Sequence, residues 1–180
     1  MRKSPIVAAL LLLSACASSP DSHFFTLSPA PPQRAPAQDR PQVHLAMVRL
    51  PELYDRPQLV TRTGPQSVEI DEYDRWAEPL ERMTGRILAE DIALRRPRVA
   101  GPVPAGVDQP KLQVAVDEFA ADRSAGRAVL SGNWKIVETD GTTRAGAFSF
   151  SQPVSGSEPA AIAAAMSGLL GQLADEIDRN

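Results

Sequence analysis

KLQVAVDEF (residues 111–119), RAVLSGNWKIVE (127–138) and RAGAFSFSQPV (144–154) are the stretches whose reading decides the fold. Apolar and polar residues alternate in each. Leu112, Val114 and Val116 share one face of the first, Leu130, Trp134 and Ile136 one face of the second, and Phe148 and Phe150 one face of the third. A period of two is the period of a strand with one buried face. The phase slips at Phe119, which predicts a bulge, and Asp140-Gly141 is a turn signal between the last two stretches. The three read as an antiparallel meander.

On either side the period changes to that of a helix. From Pro79 to Arg95, Leu80, Met83, Ile87 and Leu94 make an apolar stripe bordered by Leu88 and Ile92, and Pro97 stops the run. From Glu158 to Arg179, Ile162, Met166, Leu169, Leu170, Leu173 and Ile177 make a second stripe, with Ser157 placed to cap it and Gly168 and Gly171 placed for close packing. Further upstream, Gln42–Leu50 alternates with Val43, Leu45, Met47 and Arg49 on one face. Residues 59–62 and 68–70 flank Gly64-Pro65 as a hairpin with a loop longer than two residues, and Phe24–Leu27 is a short apolar piece suited to a first strand. The expectation is an α/β fold. It has a mixed, largely antiparallel sheet of five to six strands with both helices burying their stripes against it.

The amino end has a different character. Two cations, Arg2 and Lys3, precede an apolar run from Ile6 to Leu13, and Leu13-Ser14-Ala15-Cys16 follows. That layout is an export signal over residues 1–15. The run is too short to cross a bilayer as a stable helix, which takes about 20 residues. Leu13-Ser14-Ala15-Cys16 matches the lipobox, which makes Cys16 the expected lipidation site. It is the only cysteine in the chain, which rules out an intramolecular disulfide. Ala17, in place of the aspartate that retains lipoproteins at the inner membrane of enteric bacteria, favours the outer membrane. Residues 16–42, with Pro29, Pro31, Pro32, Pro36 and Pro41, read as a semi-rigid tether containing the short apolar piece, ahead of a single domain over 43–180. At ~3.1 Å per residue, the Pro29–Pro41 part would hold that domain about 40 Å from its anchor.

The formal net charge of −3, without a basic run, argues against nucleic acid as a partner. The two histidines, His23 and His44, have no cysteine or histidine at metal spacing. No phosphate-cradling loop or nucleophile elbow is present. Glu69, Asp71, Glu72 and Asp74 read as a solvated acidic loop. No catalytic, cofactor or metal residue is expected, and the chain is not read as an enzyme.

The remaining motifs are LPELYDRPQLVTR (50–62) and YDRWAEPL (73–80). With the lipobox and Phe24-Phe25-Thr26-Leu27, they occur in the order seen in the PqiC-like family of ABC-type transport auxiliary lipoproteins, which the chain resembles over residues 5–180. The resemblance implies a fold similar to the N-terminal domain of TolB. It also implies a non-enzymatic docking role in an MCE-type intermembrane lipid transport system. The implied partners are an MCE-domain protein and its inner-membrane transporter subunits. The implied state is a ring-forming homo-oligomer on the periplasmic face of the outer membrane. Asp55-Arg56-Pro57 is a turn-forming sequence, Arg56 and Arg62 suit pairing with carboxylates, and Trp76 suits either an interface anchor or a lid on its own core. Tyr54, Asp55, Arg56, Pro57, Arg62, Arg75 and Trp76 are therefore the candidate contact residues. The rival reading is a TolB-like or other interaction lipoprotein of a different envelope complex.

Overall fold

The computed structural model describes residues 20–36, 43–96, 109–156 and 158–179. The signal peptide, Cys16, the end of the proposed tether, the proline-rich stretch after Arg96 and the Ser157 cap lie outside them. The chain forms β1 (His23–Phe25), β2 (His44–Arg49), β3 (Gln58–Gly64), β4 (Ser67–Trp76), α1 (Leu80–Arg95), β5 (Lys111–Asp122), β6 (Arg127–Val137), β7 (Thr143–Pro153) and α2 (Pro159–Arg179).

The meander forms as expected. β5 pairs with β6 and β6 with β7, both antiparallel and nearly full length. The phase slip before Phe119 is a bulge between Val116 and Glu118. Gly132 lies opposite Val116, with φ of +156°, and a Cβ there would collide with the Ala115 carbonyl. The bulge therefore depends on a glycine across the ladder as well as on its own strand.

The rest of the sheet is mixed. Its order is β1-β4-β3-β5-β6-β7, with β2 also paired to β5. β1–β4, β2–β5 and β3–β5 are parallel. Counting β1, there are seven strands among the described residues, above the five to six expected. β2 and β3 lie end to end along one side of β5, at Lys111–Ala115 and Ala121–Asp122 respectively. Residues 50–57 are thus an excursion between two pieces of one sheet position.

Both helices cover one face and their stripes make the core, but several phases differ from expectation. Leu45 and Val48 turn inward in β2 because a register shift at Leu45/Met47 breaks the alternation, and Met47 is exposed. Leu94 is also exposed, because the α1 stripe runs through Leu80, Met83–Thr84, Ile87–Leu88, Asp91–Ile92 and Arg95. The β3–β4 loop is two residues, Pro65-Gln66, since Gly64 pairs with Ser67. Glu69, Asp71, Glu72 and Asp74 belong to β4, not to a loop. There Asp71 Oδ1 accepts the Tyr73 and Asp74 N–H groups at 2.9 Å each, and the Asp74 bond leads in holding its carboxyl below the usual range.

The domain boundary at residue 43 is too late. β1 pairs in parallel with Asp74–Trp76, and Leu27 is buried in the core. The segment after it lies on both helices. The Ser28 N–H donates to Ser167 Oγ (3.0 Å) and the Ala30 N–H to Asp91 Oδ1 (2.7 Å), while Arg95 donates to the Ala30 carbonyl (3.3 Å). Gly171 makes room, since a Cβ there would come within 2.6 Å of Ala30 Cβ. Ser28–Ala30 is therefore docked on the helices, so a free spacer cannot begin at Pro29. Prolines suit such a segment because its hydrogen bonds are made by only a few of its N–H groups.

The docking point holds buried charge. Asp91 is 0% exposed and Arg95 2%. Arg95 bonds Asp175 Oδ1 (2.7 Å) and the carbonyls of Asp91 and Gly171, and sits 3.8 Å from Asp91 Oδ1. Burial pushes the Asp91 carboxyl up to about 6, opposed by the Ala30 N–H and Arg95. An acid whose folded value is raised favours folding below its unfolded value and loses that contribution as pH rises through the folded one. Denaturation of the wild type should therefore lose about 2 kcal/mol between pH 4 and pH 6 relative to Asp91→Asn, out of about 3 kcal/mol over the whole titration. Parallel curves for the two proteins would refute this.

Candidate functional site

The candidate contact residues gather where the excursion 50–57 meets β3, the end of β4 and the start of α1. Most are structural. Asp55 Oδ1 accepts the Glu81 N–H (2.9 Å), so it caps α1, whose own N-cap residue, Pro79, makes no side-chain cap bond. Glu81 returns the contact, with Oε2 accepting the Leu50 N–H (3.0 Å). Removing a capping oxygen costs about 1 kcal/mol, so Asp55→Ala should lower the thermal midpoint by a few degrees. Unchanged melting would show that the cap contributes nothing.

Tyr54 is buried as part of the hydrophobic core. Burial, then the nearby Glu118, raises its phenol. Arg62 pairs with Glu118 at 2.6 Å across β3 and β5, so its carboxylate is intramolecular. The Pro57 carbonyl accepts the Trp76 N–H (2.7 Å), and Trp76 is buried at 4% exposure. It is the lid on its own core.

The solvent side of the cluster is different. Arg75 lies opposite Gln58 on β3 and Phe24 on β1. Arg56 and Arg75 are partly buried, and the Nε of each has no hydrogen-bond partner among the described residues. Phe24 (64%), Tyr73 (43%) and Leu53 (38%) are among the most exposed large apolar side chains. Leu53 shares the loop of Arg56, Tyr73 shares β4 with Arg75, and Phe24 lies opposite Arg75 on β1. Of the seven candidate contact residues, Tyr54 and Trp76 are buried, whereas Leu53 and Tyr73, outside that set, reach solvent. The signal was present as adjacent bulky residues, but which of each pair turns inward was not readable.

The profile of the ABC-type transport auxiliary lipoprotein component family matches residues 25–178. The chain belongs to that family. The match to this auxiliary lipoprotein family begins inside β1, in keeping with a domain that starts well before residue 43. Two crystal structures are similar to it. One, of an uncharacterized protein, has a TM-score of 0.71 at 18% identity and covers 89% of this chain and 98% of its own. The other, of a Xanthomonas campestris protein, has a TM-score of 0.65 at 23% identity and covers 86% and 91%. At these identities both show the shared fold. No curated protein matches the sequence. Among the described residues of this auxiliary lipoprotein, no His, Cys, Asp and Glu side chains group as metal ligands, and no helix is long and apolar enough to cross a membrane.

Proposed function

We propose that this auxiliary lipoprotein is a docking subunit of an MCE-type intermembrane lipid transport system, held on the periplasmic face of the outer membrane by a lipidated Cys16. The observation that carries the reading is the grouping of exposed Phe24, Leu53 and Tyr73 with two arginines whose Nε–H groups lack acceptors, on a frame fixed by Tyr54, Asp55, Arg62 and Trp76. Aromatic residues and arginine are the usual anchors of protein contacts. An MCE-domain protein, with its inner-membrane transporter subunits beyond it, is the proposed occupant, and copies of the lipoprotein are proposed to assemble around it as a ring.

The docked N-terminal segment shortens the leash in this proposal. Only residues 17–22 separate Cys16 from β1, a span of at most about 25 Å at ~3.5 Å per residue. The domain would sit close under the membrane.

The test is the full lipidated protein co-expressed with its MCE-domain partner. Phe24→Ala/Tyr73→Ala should weaken co-purification at least tenfold while melting as the wild type does, because both side chains are exposed. Cys16→Ser should abolish acyl labelling. Full partner recovery by the double variant would sink the docking surface, and label retained by Cys16→Ser would sink the anchor.

A further inference from the structure

We propose that the free edge of β7 is a strand acceptor, at which an extended, uncharged segment of a protein partner adds beside Thr143–Pro153 with a hydrogen-bond acceptor opposite Gly146. The proposal rests on the docking role above and concerns the opposite edge of the sheet from Phe24 and Tyr73.

β7 pairs with β6 in unbroken register over Thr143–Pro153, and no strand lies on its other side among the described residues. Folded proteins blunt such edges with bulges, prolines, charges or short strands. β7 has eleven residues, no register shift, and a proline only at its last position. Its one charge, Arg144, is already bonded to Glu138 Oε1 at 2.9 and 2.5 Å. On the face away from the helices, Ala145, Ala147, Ser149 and Ser151 are small and exposed. An incoming strand meets no desolvated charge and no bulk.

A second observation comes from β6. Trp134 is 4% exposed, yet its indole N–H has no acceptor among the described residues. The ring reaches across the ladder onto β7, where a Cβ on Gly146 would lie 3.0 Å from Nε1 and 2.9 Å from two ring carbons. A buried indole N–H normally finds a partner. Here it lies over the one position of the edge strand without a side chain, so a strand added at Gly146 brings an acceptor to it. Beside it, Phe148 and Phe150 stack with centroids 5.9 Å apart, and half-buried Phe150 offers an apolar shoulder.

A second copy of β7 fits poorly. Antiparallel pairing centred on Phe148 sets Phe150 opposite Gly146 and supplies no acceptor. Centring on Ser149 sets Gln152 there, but its Oε1 already accepts from Gln172 Nε2 (3.2 Å) and its side chain fills the space over Gly168. The segment that fits carries Ser, Thr, Asn or Gln opposite Gly146, an apolar residue beside Phe148 or Phe150, and small residues on the other face.

The experiment uses the full lipidated protein co-expressed with the MCE-domain partner, with a photoreactive benzophenone side chain at Ala147 or at Tyr73. Crosslinking to the partner from position 147 is expected. Ala147→Lys/Ser149→Lys should reduce partner recovery at least tenfold with unchanged melting, and Trp134→Phe should weaken it several-fold. Crosslinks from 147 to a second copy would replace the partner with self-association and overturn the proposal. Crosslinks from 73 alone would leave β7 idle and the docking role intact. Partner recovery without a crosslink from either position overturns the β7 proposal. Loss of partner recovery from the unsubstituted protein overturns the docking role itself.

Discussion

Replacing Arg95 with methionine should destabilise the protein by about 3–5 kcal/mol, because it leaves buried carboxylates without their cation. Arg95 bridges α1 to Asp175 on α2 and to the carbonyls of Ala30 and Gly171, so its loss loosens both helices and the N-terminal segment together. Methionine preserves most of the packing volume, so the effect is electrostatic. Denaturant titration should show a lower midpoint with an unchanged slope. Asp91→Asn added to Arg95→Met should recover part of the loss, since one uncompensated charge is removed. If Arg95→Met lies within about 1 kcal/mol of the wild type, the cluster behaves like an exposed ion pair and its burial has been misjudged.

Trp76→Ala should cost about 3–5 kcal/mol, the range for truncating a large core aromatic. Trp76 closes the core where β4, β1 and the excursion 50–57 meet; its backbone N–H, which alanine keeps, still bonds the Pro57 carbonyl, so the cost is that of the lost ring. The variant should expose more surface to dye binding and melt earlier. Tyr73→Ala, three residues away and solvent-facing, should melt normally. A Trp76→Ala protein of wild-type stability would return Trp76 to the list of interface anchors and undo the division of this motif into frame and surface.

The contrast between these neighbours shows how far the sequence could be read. Alternation and helical periodicity located the meander, β2, β3 and both helices, since local burial patterns follow directly from one buried face, but most of β4 was read as an acidic loop. They located the bulge before Phe119 as well. They failed where the chain departs from local regularity. In β2 a register shift exchanged Met47 for Val48 on the inner face. In α1 the stripe contained Asp91 and Arg95, which a hydropathy reading places outside the core. Asp91 follows Ile87 by four residues and Arg95 follows Asp91 by four, so helical spacing alone puts both on the buried stripe. That was the available signal. The partners that make burial tolerable, Ala30 and Asp175, are distant in sequence.

The proline-rich stretch after Leu27 is the sharpest case. Composition marks it as extended. Composition cannot say whether an extended segment hangs free or lies in a groove, because that depends on what the groove offers. Here Ser167, Gly171, Asp91 and Arg95, from two helices far apart in the chain, supply the acceptors, the donor and the space.

By itself, then, the sequence determined most of the elements, the α/β class and the motifs that mark an auxiliary lipoprotein. Each of these is written in local spacing. Only the tertiary structure decided where the domain begins, that Asp55 caps a distant helix, and which residues of the motifs face solvent. These depend on parallel pairings and on contacts between segments brought together by α1 crossing back over the sheet, and no local pattern encodes the edge to which the chain returns.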